Sequence, residues 1–375
     1  MAWLIILVAV LATTALGLAY CVACVGRFAL VRELSGGKKW RGRLISLGIV
    51  AAVFAALALL LSTVNAIVVS LHVVLFLLLF GLGTRIWERV TGRRSRIYWQ
   101  GWLALGFSVV YLTAGYVLCR HVWQKDYHLQ TDKELGTLKI ALIADSHIGT
   151  TFDGEGFVQE LRRIEEQSPD MLVIAGDFVD DATSRADMLR ACEGLGELRL
   201  PRGVWYVYGN HDGGYYSSRD FTAEELEAAL RQNGVHVLKD EAAPAGDAVY
   251  VVGRQDASHR DRKDMEELLA GLGTDRYIIV LDHQPNDYED ESRSAADLVL
   301  SGHSHGGQLI PITYVGQWAG MLDRTYGHEN RRGTDFIVTS GISDWELLFK
   351  TGMRSEYVIV TVEGRTPAEA ADAAA

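Results

Sequence analysis

Four apolar runs occupy most of the first 120 residues and constrain the fold more than anything else in the chain. They cover about residues 2–25, 44–62, 64–82 and 99–118. A helix needs about 20 apolar residues to cross the hydrocarbon core of a bilayer. A helix of that length packed on a soluble core would keep a polar stripe toward water, and none of these runs carries one. The second and third runs are parted only by Ser62, Thr63 and Asn65, so a tight helical hairpin is expected there.

Charge around the runs gives them an orientation. Arg27, Arg32, Lys38, Lys39, Arg41 and Arg43 lie between the first and second, and Arg85, Arg89, Arg93, Arg94 and Arg96 between the third and fourth. The turn between the second and third has no charge. Because cytoplasmic loops retain Lys and Arg, both basic loops are expected inside. Everything after Arg120 then lies on the extracytoplasmic side. Tyr98, Trp99 and Trp102 at one end of the last run, and Trp123 and Tyr127 beyond the other, suit interfacial belts. No basic residue precedes the first run, which argues against a cleaved signal peptide.

Little else in this region suggests chemistry. Cys21 and Cys24 have redox or metal spacing without a second pair, and read as small packing residues of a membrane helix. His72 is an ionisable group inside the third run, a placement that by default suggests function, but it is read as a packed or hydrogen-bonded residue. With no acidic residue in the middle of a run, the segment makes a poor solute path. Residues 1–125 are therefore read as a multi-pass anchor.

Composition changes after Asp126, where the net charge of −11 originates. The acidic balance argues against duplex nucleic acid as a partner, because binding it requires Lys and Arg to replace condensed counterions. A polar linker is expected over 126–137, a catalytic domain over 138–364 and a disordered tail over 365–375. Within the domain, apolar runs at 138–144, 171–175 and 204–207 alternate with amphipathic helices at 156–167, 186–198 and 223–232. Further strands are expected at 248–252, 277–281, 298–301, 335–339 and 355–362. Such alternation predicts an α/β fold with parallel strands joined by crossover helices.

Hard ligands follow these strands. Asp145 and His147 come after the first strand, Asp177 after the second, and Asn210, His211 and Asp212 after the third. Asp282 and His283, then His303 and His305, follow two later ones. Open α/β sheets bind ligands at the carboxyl ends of their strands, so all five clusters converge on one rim. Hydrolysis of a phosphate ester needs a water activated at neutral pH and stabilisation of phosphoryl charge. Two divalent ions about 4 Å apart supply both. Carboxylate and imidazole ligands suit Mn, Fe or Zn, and the lack of thiolates argues against a structural cysteine-type zinc site. Gly176, Gly209 and Gly302 are expected to let the backbone turn sharply beside the metals.

The series Asp145-Ser146-His147, Gly176-Asp177-Phe178-Val179-Asp180, Gly209-Asn210-His211-Asp212, His283 and Gly302-His303-Ser304-His305 resembles the calcineurin-like metallophosphoesterase family. The likeness covers about residues 138–362. The stretch from Ser301 to Gln308, followed by Pro311, is similar to a membrane-associated bacterial branch. That branch includes relatives of the enzymes that cleave UDP-2,3-diacylglucosamine and other membrane-tethered phosphodiesterases. The resemblance implies a two-sheet α/β sandwich with helices outside. It also implies two ions, for which Mn is favoured. Asp145, His147 and His305 would hold the first, Asn210, His283 and His303 the second, and Asp177 would bridge them. His211 would stand near the leaving group as a general acid or phosphate-orienting donor, positioned by a carboxylate. Asp180 would support the ligands from outside. A phosphate ester, with a lipid or envelope component preferred, is the expected substrate, and the bilayer is the expected partner. The alternative is a membrane sensor or scaffold that keeps the fold without catalysis.

Remaining polar candidates match no motif. His121, His128, His236, His259 and His328 are expected on solvated surface, and Asp282 is expected either to orient His283 or merely to end a strand. Trp345, Leu347, Leu348 and Phe349 form an apolar cluster that reads equally as core or as an exposed lip. Loops 212–221 and 313–332 are expected to build the substrate pocket.

Overall fold

A computed structural model describes residues 2–95, 97–215 and 219–366, with side-chain surroundings from residue 8 onward. Arg96 and residues 367–375 of the expected tail lie outside the described residues, whereas Arg365, expected to begin that tail, ends a strand. The chain divides into two compact units, Met1–Gly115 and Tyr116–Ala375.

The first unit contains helices Ala2–Val25, Lys39–Leu60 and Thr63–Thr91 and most of a fourth, Trp99–Arg120. All four are long and apolar enough to cross a membrane. The hairpin is present. Ser62 breaks the chain between its two helices and caps the second by accepting the Asn65 N–H at 3.2 Å. The helices outrun their apolar stretches, so Lys39, Arg41 and Arg43 at one end and Arg85 and Arg89 at another are helical rather than loop residues. Apolar composition sets the length buried in lipid, whereas the hydrogen-bond ladder continues until a stop. Here the stop is Gly92, in the left-handed region at φ 68°. Cys21 and Cys24 are buried with Phe76, Leu77 and Ala104, and His72 Nδ1 lies 2.8 Å from Val68 O of its own helix. Both findings match the packing roles expected.

In the second unit the expected linker is a strand. β1 (Val122–Glu134) pairs parallel with β12 (Ser355–Arg365), from Val122 opposite Ser355 to Gln130 opposite Glu363. Only Val122 and Leu129 of β1 are buried, so its pattern is too polar to advertise a strand. The boundary also moves: the last turn of the fourth helix, from Tyr116, belongs to this unit. Ser355 Oγ donates to Cys119 O at 2.7 Å, and Cys119 Sγ lies 3.7 Å from Leu347 O.

The other strands are β2 (Thr137–Ile143), β3 (Met171–Ala175), β4 (Val204–Val207), β5 (His236–Leu238), β6 (Glu241–Pro244), β7 (Val249–Gly253), β8 (Tyr277–Leu281), β9 (Leu298–Ser301), β10 (Gly327–Arg331) and β11 (Thr334–Val338). They form two six-stranded sheets, ordered β1-β12-β2-β3-β4-β5 and β10-β11-β9-β8-β7-β6. β2 to β5 run parallel, as do β7, β8, β9 and β11. Leu138, Ile140, Leu142, Val173 and Val207 of one sheet meet Val251, Ile279, Leu300 and Ile337 of the other in one core. Helices Gly154–Glu165, Arg185–Glu197 and Ala223–Gln232 cover the outside of the first sheet through Phe157, Leu161, Met188, Cys192, Leu226 and Leu230. With both faces covered, β3 and β8 are buried at every residue, which is why they read as continuous apolar runs. The expected two-sheet α/β sandwich is the fold observed.

Candidate metal centre

The parallel strands bring their carboxyl ends to one rim, and the hard side chains follow. Asp145 and His147 leave β2, Asp177 leaves β3, Asn210 and His211 leave β4, His283 leaves β8, and His303 and His305 leave β9. Two groups result, Asp145 with His147 and His305, and Asp177 with His283 and His303. In each, one ligand atom per residue lies within 4.8 Å of the others. Asp177 stands between the groups, with Oδ2 3.1 Å from His283 Nε2 and 3.7 Å from His147 Nε2. Asn210 Oδ1 lies 3.2 Å from His283 Nε2, so it joins the second group.

The backbone is bent to achieve this. Asp145, His147, Asp177, His303 and His305 all have φ between 36° and 68°. Non-glycine residues there cost on the order of 1–3 kcal/mol each, and persist only where their surroundings over-determine them. Hydrogen bonds supply part of that constraint. Asp145 accepts the His303 N–H at 2.9 Å, and Asp177 Oδ1 accepts the His211 N–H at 2.8 Å. Asp212 does most: its two oxygens accept the N–H groups of Asp177, Phe178, Val179 and Gly209 at 2.7 to 3.0 Å. His283 Nδ1 lies 2.8 Å from Ala175 O, which fixes the ring with Nε2 toward Asp177.

The glycines act in two ways. Gly176 has φ 84° and makes the turn expected of it. Gly209 and Gly302 are needed for close approach instead: a Cβ would lie 2.2 Å from Asp177 Oδ1 at the first and 2.6 Å from Asp145 Oδ2 at the second.

The chemistry of the pocket asks for cations. Asp145, His147 and His283 are fully buried. Among the described residues neither nitrogen of the His147 ring has a hydrogen-bond partner, although Asp180 Oδ2 lies 3.4 Å from Nδ1. A buried polar atom left unpaired is rare and demands an account, and a metal ion supplies one. Burial works against charging His147 and His283, yet the surrounding carboxylates outweigh it and raise both, Asp180 foremost for His147 and Asp177 for His283. Burial likewise opposes an ionised Asp177, but His283 draws it well below the usual carboxylate range. Burial and then the neighbouring His283 push His303 down to about 4. The residues fit a pair of divalent ions in donor type, burial and surplus negative charge.

His211 departs from expectation in one respect. Its ring sits 5.1 Å from that of His147 and 5.0 Å from those of Tyr215 and Trp345, and its buried Nδ1 has no hydrogen-bond partner among the described residues. Among the described residues no carboxylate hydrogen-bonds the ring, which aromatic rings flank; Asp177 holds the His211 backbone N–H instead, and the adjacent Asp212 accepts other backbone N–H groups. Burial is the main cause that holds His211 below the ordinary imidazole range. Asp180 accepts the Ala182 N–H at 2.8 Å, and its Oδ2 lies 3.4 Å from His147 Nδ1.

Asp282 does not orient His283. It is buried in an ion cluster, 3.1 Å from Arg254 Nη1 and 2.6 Å from Arg262 Nη2. His236 stacks on Trp205, and His328 Nε2 lies 2.7 Å from Asp335, so the latter is half-buried and paired rather than solvated. Leu347 and Phe349 are core, whereas Trp345 is 41% exposed. Asp344 escaped sequence reasoning: its Oδ1 lies 3.2 Å from His305 Nδ1. The buried Lys350 ammonium holds that turn by donating to Ser340 O at 2.6 Å and Ser343 O at 2.7 Å. No spacing or motif marks either residue.

Comparison with known proteins agrees with this geometry. The profile of the family described as calcineurin-like phosphoesterase matches residues 138–307. An uncharacterized metallophosphoesterase of Aquifex aeolicus is 32% identical over 252 residues, 64% of this chain and 91% of that protein. One of Campylobacter jejuni is 30% identical over 234 residues, 61% of this chain and 60% of its own length. A zebrafish (Danio rerio) transmembrane protein with metallophosphoesterase domain is 31% identical over 197 residues, 49% of this chain and 44% of its own. The chain thus spans well under two thirds of the zebrafish relative and nearly all of the Aquifex one. Ligand residues on one rim of a two-sheet sandwich, and a relative matched almost end to end, make this chain a member of the calcineurin-like phosphoesterase family.

Proposed function

We propose that the chain is a membrane-anchored hydrolase that cleaves a phosphate ester with two divalent ions. The observation that carries this is the Asp177 carboxylate standing between two ligand groups. Asp145, His147 and His305 hold one ion, and Asn210, His283 and His303 the other, with Asp177 shared. When bound, such ions activate a water and neutralise charge on the phosphoryl oxygens. Oxygen and nitrogen donors suit Mn, Fe or Zn, with Mn favoured. His211, held by Tyr215 and Trp345 at the mouth of the site, hydrogen-bonds the phosphate or gives a proton to the leaving oxygen.

The preferred substrate is a phosphodiester or pyrophosphate of a lipid or envelope component. This would be chemistry of the kind found among membrane-tethered relatives of the UDP-2,3-diacylglucosamine-cleaving enzymes. Four helices of spanning length support a multi-pass anchor, and the basic segments support a catalytic unit on the extracytoplasmic side. An anchored site meets lipid headgroups at high effective concentration.

The test uses the purified full chain on bis-p-nitrophenyl phosphate and p-nitrophenyl phosphate, with and without Mn²⁺. Metal-dependent turnover is expected. Its absence in folded protein rejects the reading in favour of a non-catalytic sensor or scaffold. Asp177→Asn should lose both turnover and metal, and His211→Ala turnover alone.

A further inference from the structure

Between His305 and β10 the chain makes an excursion that the metal centre does not use. Residues 309–322 contain no Asp, Glu, Lys or Arg. Ile310, Ile312, Tyr314, Val315, Trp318 and Met321 are each 43% to 76% exposed, Trp318 most of all. Soluble surfaces seldom gather this many large apolar groups, and where they do the patch marks a docking site. The excursion is not loose: Leu309 and Thr313 are buried, Ile310 N–H donates to Thr351 Oγ1 at 3.0 Å, and Thr351 N–H donates to Gln308 O at 2.9 Å. Its apolar side chains are therefore held outward by a fixed base.

We propose that this lip inserts into the outer layer of a lipid bilayer and seats the catalytic rim on the membrane surface. Three observations select a bilayer as the occupant. The same chain carries four helices of membrane-spanning length, so a bilayer is always within tether range. Within the catalytic unit, the final turn of the last of them packs on the segment beside Thr351: the rings of Tyr116 and Phe349 lie 6.5 Å apart, and Cys119 Sγ is 3.7 Å from Leu347 O. A continuous path of contacts thus joins the helix end to the base of the lip. Finally, Trp and Tyr among Ile, Val and Met, without charge, is the composition that partitions to the headgroup boundary. Trp345, exposed on the same rim and 5.0 Å from the His211 ring, extends the surface to the site. The lip gives the proposed hydrolase a lipid-embedded substrate class, and in that respect rests on the preceding reading; the docking itself does not.

The test reads docking without turnover. The native cysteines are buried, so Trp318→Cys in the full chain takes an environment-sensitive fluorophore selectively. Asp275→Cys, exposed just before β8 at the opposite end of the sheet, serves as reference. In nanodiscs of phosphatidylcholine and phosphatidylglycerol with a doxyl group high on the acyl chain, the label at 318 should shift to the blue and lose most of its emission. The label at 275 should do neither. Adding Ile310→Ser, Ile312→Ser and Trp318→Ser to a chain labelled through Met321→Cys should abolish quenching at 321. Water-like emission at 318 without quenching overturns the proposal. So does a blue shift that grows with protein density and ignores doxyl lipid, which would assign the lip to a second copy of the chain. If no phosphoester is hydrolysed but the lip is quenched, the docking stands and the activity falls.

Discussion

The carboxylate of Asp177 occupies the space in which a side chain on residue 209 would stand. A Cβ on Gly209 would lie 2.2 Å from Asp177 Oδ1 and 2.4 Å from its backbone N. Asp212 draws the two together by accepting the N–H of Asp177 at 2.9 Å and of Gly209 at 2.7 Å. The carboxylate proposed to be shared by both ions is thus placed by a missing methyl group and a fully buried acid.

Gly209→Ala should therefore damage the centre more than a single methyl suggests. Neither a backbone N nor a carboxylate tied to the His211 N–H can yield by an ångström without moving the ligand. A displacement of that size costs on the order of 100-fold in rate. Turnover of bis-p-nitrophenyl phosphate together with bound metal per chain measures it. Unchanged values for both would show that the loop relaxes freely and that the contact has no functional weight.

Asp344 offers a separable effect. It faces His305 Nδ1 at 3.2 Å and leaves Nε2 toward Asp145 at 3.7 Å, the arrangement in which an acid sets a ligand's tautomer and basicity. Asp344→Asn should weaken metal binding about 10- to 100-fold, while kcat at saturating metal stays near the parent value. A metal titration of activity distinguishes this from a general loss of structure, which would lower the plateau as well.

What can be read from sequence follows from where each residue lies. The strands that sequence predicts are interior ones, covered on both faces, whose burial leaves a plain apolar run. β1, β5, β6 and β10 escape such a reading, and they are the four edges of the two sheets. An edge strand has one partner and tolerates polar side chains, so Gly327–Arg331 and most of β1 carry no apolar signal. The ligands are legible because each sits directly after an interior strand. Asp344 and Lys350 are not, because they act through a turn whose path depends on tertiary contacts alone. The role of Asp212 is also hidden: sequence places it beside His211, but only the fold turns its oxygens to four backbone N–H groups.

The orientation of the anchor can be checked independently of chemistry. Basic residues gather at the two outer ends of the hairpin, and the Ser62 turn has none. An alkaline phosphatase reporter appended after Lys125 should be active, and one after Lys39 inactive, because the enzyme folds only outside the cytoplasm. The reverse pattern would move the catalytic unit inside and direct the substrate search to cytoplasmic nucleotides or lipid precursors.

Metal removal should also register in stability, because the ligands are buried and strained. An ion that binds only the folded state at about 100 times its Kd adds about 2.7 kcal/mol per site. For a unit of this size that corresponds to roughly 5–10 °C in Tm. The full chain in detergent should therefore melt lower with chelator than with Mn²⁺. His211→Ala should keep the difference, since its ring is not among the proposed ligands. Asp177→Asn should lose most of it, since its carboxylate is the one proposed to serve both ions. An equal Tm with and without metal in the parent chain would mean that the two groups do not bind Mn²⁺ under those conditions, and the assignment of that metal would fall.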